Sequence, residues 1–274
     1  RGGFAIVPHA TAPLSLKLAT SRIHTRKFME YLTDWKFWSA FIALIALVLS
    51  QLPPIHILIR RPKLELEAYQ RIFINHKIGS PNLQCHLIIR NAGRGTIRIK
   101  GIQCCIKRDG KEVMSFPAQN YIVKPSENQW VLFTGFELNP LEEWSHTLQF
   151  FNFAEREDEK LYQQSEINLK NEIARIKEEK GEKFFAIASD SAVKPFLDMF
   201  EKHFCWLPGD YSMEISVITN DPKVTAVASY RFTLFESQSE TLKEHKLGYP
   251  SGAAIYWESQ NYLGQWINIE EKSG

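Results

Sequence analysis

The chain has 274 residues, with 33 Lys and Arg against 31 Asp and Glu, and a formal net charge of +2. That balance excludes the broadly basic surface by which nucleic-acid binders neutralise phosphates, so no nucleic-acid partner is expected. Its four cysteines, Cys85, Cys104, Cys105 and Cys205, are too few and too irregularly spaced for a disulfide framework.

The first 28 residues carry Arg, Lys, Ser and Thr without Asp or Glu, and show neither strand alternation nor a helical stripe. They are expected to be a non-native or disordered leader, with the native start at Met29 and a short flank over 29–36. Phe37 to Leu52 then reads FWSAFIALIALVLSQL, with no ionisable side chain between Lys36 and His56. A bilayer core of about 30 Å needs roughly 20 apolar helical residues, and 37–59 meets that length if Pro53, Pro54 and His56 are tolerated near one end. A cleaved signal peptide is the rival reading, but Ser50-Gln51-Leu52 is no small-residue cleavage site, so a retained transmembrane helix is expected. Trp35 and Trp38 stand at one edge, Phe41, Ile45 and Leu49 in the span, and Arg60 and Arg61 at the other edge. From Met29 onward the positive flank is the trailing one, which places the protein in the cell membrane as a single-pass chain with its C-terminal domain cytoplasmic.

After the anchor, Leu64, Leu66 and Ala68 alternate with charged residues, and Leu83, Cys85, Leu87 and Ile89 share one face of a second strand. A turn at Asn91-Ala-Gly-Arg-Gly95 leads to Ile97 and Ile99, then Ile102, Cys104 and Ile106, with the change of phase at Gly101 predicting a bulge. Asp109-Gly110 predicts a tight hairpin. Further extended pieces are expected at 129–138 and 144–153. Neighbours on a strand point to opposite faces, so Cys104 and Cys105 should not bond each other; a bridge between Cys85 and Cys205 stays open beside the commoner reading of buried thiols.

Short strands with turn signals about every ten residues predict an antiparallel sandwich. The stretches Leu87-Ile-Ile-Arg-Asn-Ala-Gly93 and Leu207-Pro-Gly-Asp-Tyr211 resemble an immunoglobulin-like or fibronectin-type β-sandwich, in which a Pro-Gly-acidic-Tyr run leads into a late strand. The resemblance implies strands at 211–219 and 224–235, and an architecture without an implied activity. The fold class expected is therefore mainly β with an α-helical insertion: an antiparallel immunoglobulin-like β-sandwich over 63–235, preceded by one transmembrane helix.

The insertion spans about 154–204. Tyr162, Leu169, Ile173 and Ile176 fall at helical spacing before Gly181, and Val193, Phe196, Leu197 and Phe200 share a face of a second helix. Such a pair either covers a sheet edge or serves as a partner-binding or self-association arm. The extension over 236–274 carries Tyr256, Trp257 and Trp266, which either complete a core or form a contact surface, with short strands expected at 255–258 and 266–269.

No nucleophile elbow, phosphate loop or paired metal-ligand spacing is present, so no catalytic residue, metal or other cofactor is assigned. Cys85 beside His86, and His203 near Cys205, are more readily structural than reactive. Two function classes remain: a membrane-anchored, non-enzymatic interaction or sensor protein, serving as an accessory or effector subunit, and a membrane-tethered hydrolase with an unrecognised site. A pocket that brings His86, His146 or His203 beside a carboxylate or Cys favours the enzyme; an exposed helical or aromatic patch on a filled sandwich favours the binder, which is the reading preferred.

Overall fold

The computed structural model describes residues 35–51, 61–123, 129–257 and 264–272. The expected leader, the flank from Met29 to Asp34, His56 and Arg60 lie outside the described residues, while Trp35 and Lys36 of that flank are described. The chain divides into two units, 1–59 and 60–274.

In the first unit the apolar run forms helix α1, Trp35–Gln51, of 17 residues. At about 1.5 Å per residue it is roughly 26 Å long, short of the roughly 30 Å hydrocarbon core. Among the described residues no helix is long and apolar enough to cross a membrane, so the expected transmembrane helix over 37–59 is corrected. The expected span needed the apolar run to continue as helix as far as Ile59, and 52–59 lie outside the described residues. Trp35, Trp38, Phe41, Ile45 and Leu49 are exposed on α1, and Arg61 is exposed in the second unit.

The second unit is mainly antiparallel sheet with helices. Its strands are β1 (Leu64–Lys77), β2 (Ser80–Asn91), β3 (Ile97–Arg108), β4 (Lys111–Ile122), β5 (Trp130–Leu132), β6 (Phe136–Leu138), β7 (Glu143–Phe150), β8 (Gly209–Thr219), β9 (Ala226–Leu234), β10 (Gln265–Asn268) and β11 (Glu270–Glu271). Alternation sets the faces. Leu83, Cys85, Leu87 and Ile89 of β2 are buried, and so are Ile97, Ile99, Ile102, Cys104 and Ile106 of β3, whose change of phase coincides with a register slip against β8 at Gly101. The β3–β4 turn is the two-residue loop Asp109-Gly110, with φ of 51° and 79°, the left-handed pair that such hairpins require.

The strands form one nearly closed, sandwich-like sheet in the order β10-β1-β2-β7-β4-β3-β8-β9-β11. Two segments change sides and so join the layers. The first half of β4 pairs with β3 up to Pro117, and from Ala118 the same strand pairs with β7. At the opposite margin β10 pairs with β1 and β11 with β9, while the intervening Ile269 N–H donates to the Gln70 carbonyl at 2.8 Å. One short run of chain thus covers backbone groups on both outer strands that would otherwise be open edges.

The Leu207–Tyr211 stretch turns the chain into β8. The Tyr211 hydroxyl donates to the Leu207 carbonyl at 2.6 Å, and its ring stacks on Phe232 with centroids 4.9 Å apart. Replacing Tyr211 by Phe is expected to lower unfolding free energy by about 1 kcal/mol, the usual net worth of such a bond. Urea unfolding reads this as a lower midpoint at an unchanged slope; an unmoved midpoint would remove the corner from the list of stabilising features.

Helices α2 (Arg156–Lys180) and α3 (Asp190–His203) lie between β7 and β8 in sequence, followed after β9 by α4 (Glu236–Lys243) and a 3-10 helix, Glu244–Ser251. Helices α2 and α3 and the 3-10 helix enclose a second core that includes Leu169, Ile173, Phe196, Phe200 and Tyr249, while Leu242 of α4 joins the sandwich core. Phe204, just past α3, packs against both this core and the sandwich core, which also buries Trp206 completely.

Candidate functional site

A cleft of about 570 Å³ lies between the helical insertion and the neighbouring ends of β1, β2 and β7. Its floor is the β1–β2 turn, where Lys77 pairs with Ser80 across Ile78-Gly79. Both turn residues have positive φ, 47° and 84°. A β-branched residue is a poor occupant of that region, but Ile78 is only 4% exposed, and its packing in the helical core holds it there. One wall is the exit of β7, with Phe151 and Phe153 in edge-to-face contact at 5.4 Å.

The other wall is helical. Residues spaced three and four apart on a helix share a face, so Glu155 at the N-cap, then Asp158, Glu159 and Tyr162, all reach the cleft from α2, and Met199 and His203 reach it from α3. His203 Nε2 donates to Asp158 Oδ2 at 2.9 Å, and Lys202 Nζ donates to both Asp158 oxygens at 2.8 and 2.9 Å. The Lys202 hydrogen bond, with a smaller contribution from His203, holds the Asp158 carboxyl below the usual carboxylate range. The Tyr162 hydroxyl donates to the Ile255 carbonyl at 2.7 Å; burial, then the nearby Glu166 and Glu159 carboxylates, pushes its pKa up. Its ring also carries the Lys77 ammonium, 4.6 Å from the centroid.

The residues singled out in the sequence are distributed as follows. Leu169 and Ile173 are buried, and Tyr162 and Ile176 half-buried, so the α2 stripe faces the chain's own second core. Tyr256 packs on that core too, with Lys170 Nζ 5.0 Å from its ring centre. Trp257 and Trp266 are exposed, the latter in contact with Phe73 and with the Arg71 guanidinium 5.4 Å from its ring centre. Tyr162 lines the cleft, and so does His203, one of the three histidines considered for a pocket; His86 and His146 do not line it. The Asp158–His203 pair was not assigned from sequence, because its members are 45 residues apart; the helical spacing of 155, 158, 159 and 162 was its one local signal.

All four cysteines are free thiols, so the Cys85–Cys205 bridge does not form. Burial pushes the Cys85 and Cys205 thiols up to about 12, which removes the thiolate needed for nucleophilic attack. His86 turns away from Cys85 and bonds Thr147 and Ser145, at 3.1 and 3.0 Å, while His146 donates to the Ile122 carbonyl at 3.0 Å. Among the described residues no group of three or more His, Cys, Asp or Glu is placed to hold a metal ion, and no hydroxyl or thiol is hydrogen-bonded to His203.

No protein-family model matches the chain, and no curated protein matches it. A solved structure described as "Crystal structure of protein from Archaeoglobus fulgidus" is similar at a TM-score of 0.27 and 9% identity, over 62% of this chain and 94% of that one. A likeness of that size carries no argument about fold or function.

Proposed function

We propose that the chain is a non-enzymatic binding protein, a sandwich of the immunoglobulin-like or fibronectin-type plan whose cleft against the helical insertion takes a small ligand or a side chain of a protein partner. The cleft carries this reading. Its volume of about 570 Å³ lies in the range of small-molecule sites, and its lining sets apolar and aromatic side chains such as Ile78, Phe151, Tyr162 and Met199 among polar and charged ones. The plan of the sandwich is supported by the Tyr211 corner at the start of β8. Self-association through the α2 stripe is left out, since Leu169 and Ile173 are buried within the chain. Attachment to a membrane, with the larger unit cytoplasmic, is left out as well, having no span among the described residues to rest on.

The test is thermal unfolding in the presence of a chemically diverse panel of small molecules, with Ala154→Trp beside the wild type. Ala154 is exposed and lines the cleft, so the indole fills the opening without entering either core. A ligand at about a hundred times its Kd should stabilise the wild type by about 2.7 kcal/mol, a shift of several degrees. That shift should vanish in Ala154→Trp. Compounds that stabilise both proteins equally would sink the cleft as the binding site.

A second reading has its own support: His203 stands beside Asp158 in the cleft, the arrangement that favours a hydrolase. In its favour would count turnover of chromogenic esters that falls at least a hundredfold in His203→Ala; equal rates in the two proteins would end it.

A further inference from the structure

Resting on the reading of the cleft as a binding site, we propose that its ligand is an organic cation, a primary ammonium or guanidinium group, carried either by a small amine or by a basic side chain of a peptide. Two features of the lining converge on that chemistry. The first is charge. Glu155 and Glu159 stand exposed at the rim, and the third carboxylate, Asp158, already has its Lys202 and His203 partners. An anion entering here would meet the two rim carboxylates, while a cation would be drawn in by them.

The second is the Tyr162 ring. The negative face of an aromatic ring attracts ammonium and guanidinium groups within about 6 Å of its centre. Lys77 Nζ occupies that position at 4.6 Å, so the ring face is a cation seat filled by the chain itself. Lys77 is an exposed residue on a flexible stem, and an incoming cation can displace it into water at little cost.

Calorimetric titration of the full chain tests this with n-butylamine, 4-aminobutylguanidine and an acetylated, amidated tetrapeptide containing one Lys, against n-butanol and butyrate as neutral and anionic shapes of like size. The cationic probes are expected to bind saturably and at least tenfold tighter than butanol or butyrate. Lys77→Ala, which vacates the ring, should tighten cation binding severalfold, and Glu159→Gln should weaken it severalfold. Opposite effects from two exposed positions are not produced by misfolding. The peptide binding more tightly than the free amines would assign the cation to a protein partner, and the reverse order to a small molecule; both orders support the proposal. It is overturned if butanol or butyrate binds as well as the amines, if Lys77→Ala weakens binding, or if no cationic probe binds. The broader cleft reading falls separately, on the comparison with Ala154→Trp.

Discussion

Gly79→Ala is expected to lower the unfolding free energy by about 3 kcal/mol, the sum of a left-handed backbone cost of about 1–2 kcal/mol and an overpacking cost of similar size. Gly79 sits at φ 84° in the β1–β2 turn. A Cβ built there would lie 2.6 Å from the Phe200 carbonyl oxygen and 3.0 Å from both Phe200 Cα and Phe204 N. These are backbone atoms at the end of α3, and they cannot swing aside as a side-chain tip would. The helix must move off the turn, carrying Met199 and His203 with it, so the cleft should open in the same variant. Gly95→Ala is the control. Gly95 has φ 74° with nothing within 4 Å of a built Cβ, and it should lose only the backbone term. Urea unfolding of the two variants separates the contributions, and equal losses would show that the approach of α3 to the turn is not a constraint on the fold.

The same turn shows where sequence patterns stop being informative. The burial alternation of β2 and β3, the Asp109-Gly110 hairpin and the slip at Gly101 were all legible, because each is a local consequence of side-chain period or left-handed backbone. The first strand was legible only to Ala68. Its second half, as far as Lys77, follows a register slip between Ala68 and Ile72, where polar residues interrupt the alternation. The turn that closes this hairpin uses Ile78, a residue no turn rule selects, and long-range packing against the helical core compensates for its backbone. The expected strand at 255–258 was another miss. Ile255 is buried in the helical core after a 3-10 helix, whereas Trp266 does lie on a strand. In α1 the apolar composition was plain, but composition does not fix helix length, and its 17 residues fall short of a span. The cleft assembles side chains from β1, β7, α2 and α3, and adjacency of that kind has no period to detect.

Acid should destabilise the second unit through His76, where sheet, helices and tail meet. The ring is 8% exposed and lies among Phe200, Phe204 and His245, with ring centres 5.3, 5.5 and 4.8 Å away. Nδ1 accepts the Gly79 N–H at 3.0 Å, which fixes the proton on Nε2, and Nε2–H donates to the Leu242 carbonyl at 2.8 Å. A second proton would have to enter at Nδ1, against the Gly79 donor. Burial lowers the pKa most and His245 lowers it further; the Leu242 carbonyl offsets part of this, leaving a value of about 4. The folded state thus refuses a proton that the unfolded chain accepts near pH 6.5. Stability is full above that pH and falls as pH drops from 6.5 towards 4, by about 3 kcal/mol in all. Asp158 acts in a lower window, because its depressed pKa keeps its contribution until pH falls below the usual carboxylate range. His86, lowered by burial and by His146, slopes the same way as His76. The comparison with His76→Gln therefore isolates the buried ring. Urea unfolding at pH 7 and pH 4.5 should show most of the wild-type loss missing from the variant, and an undiminished loss would mean that His76 is not the group through which acid acts.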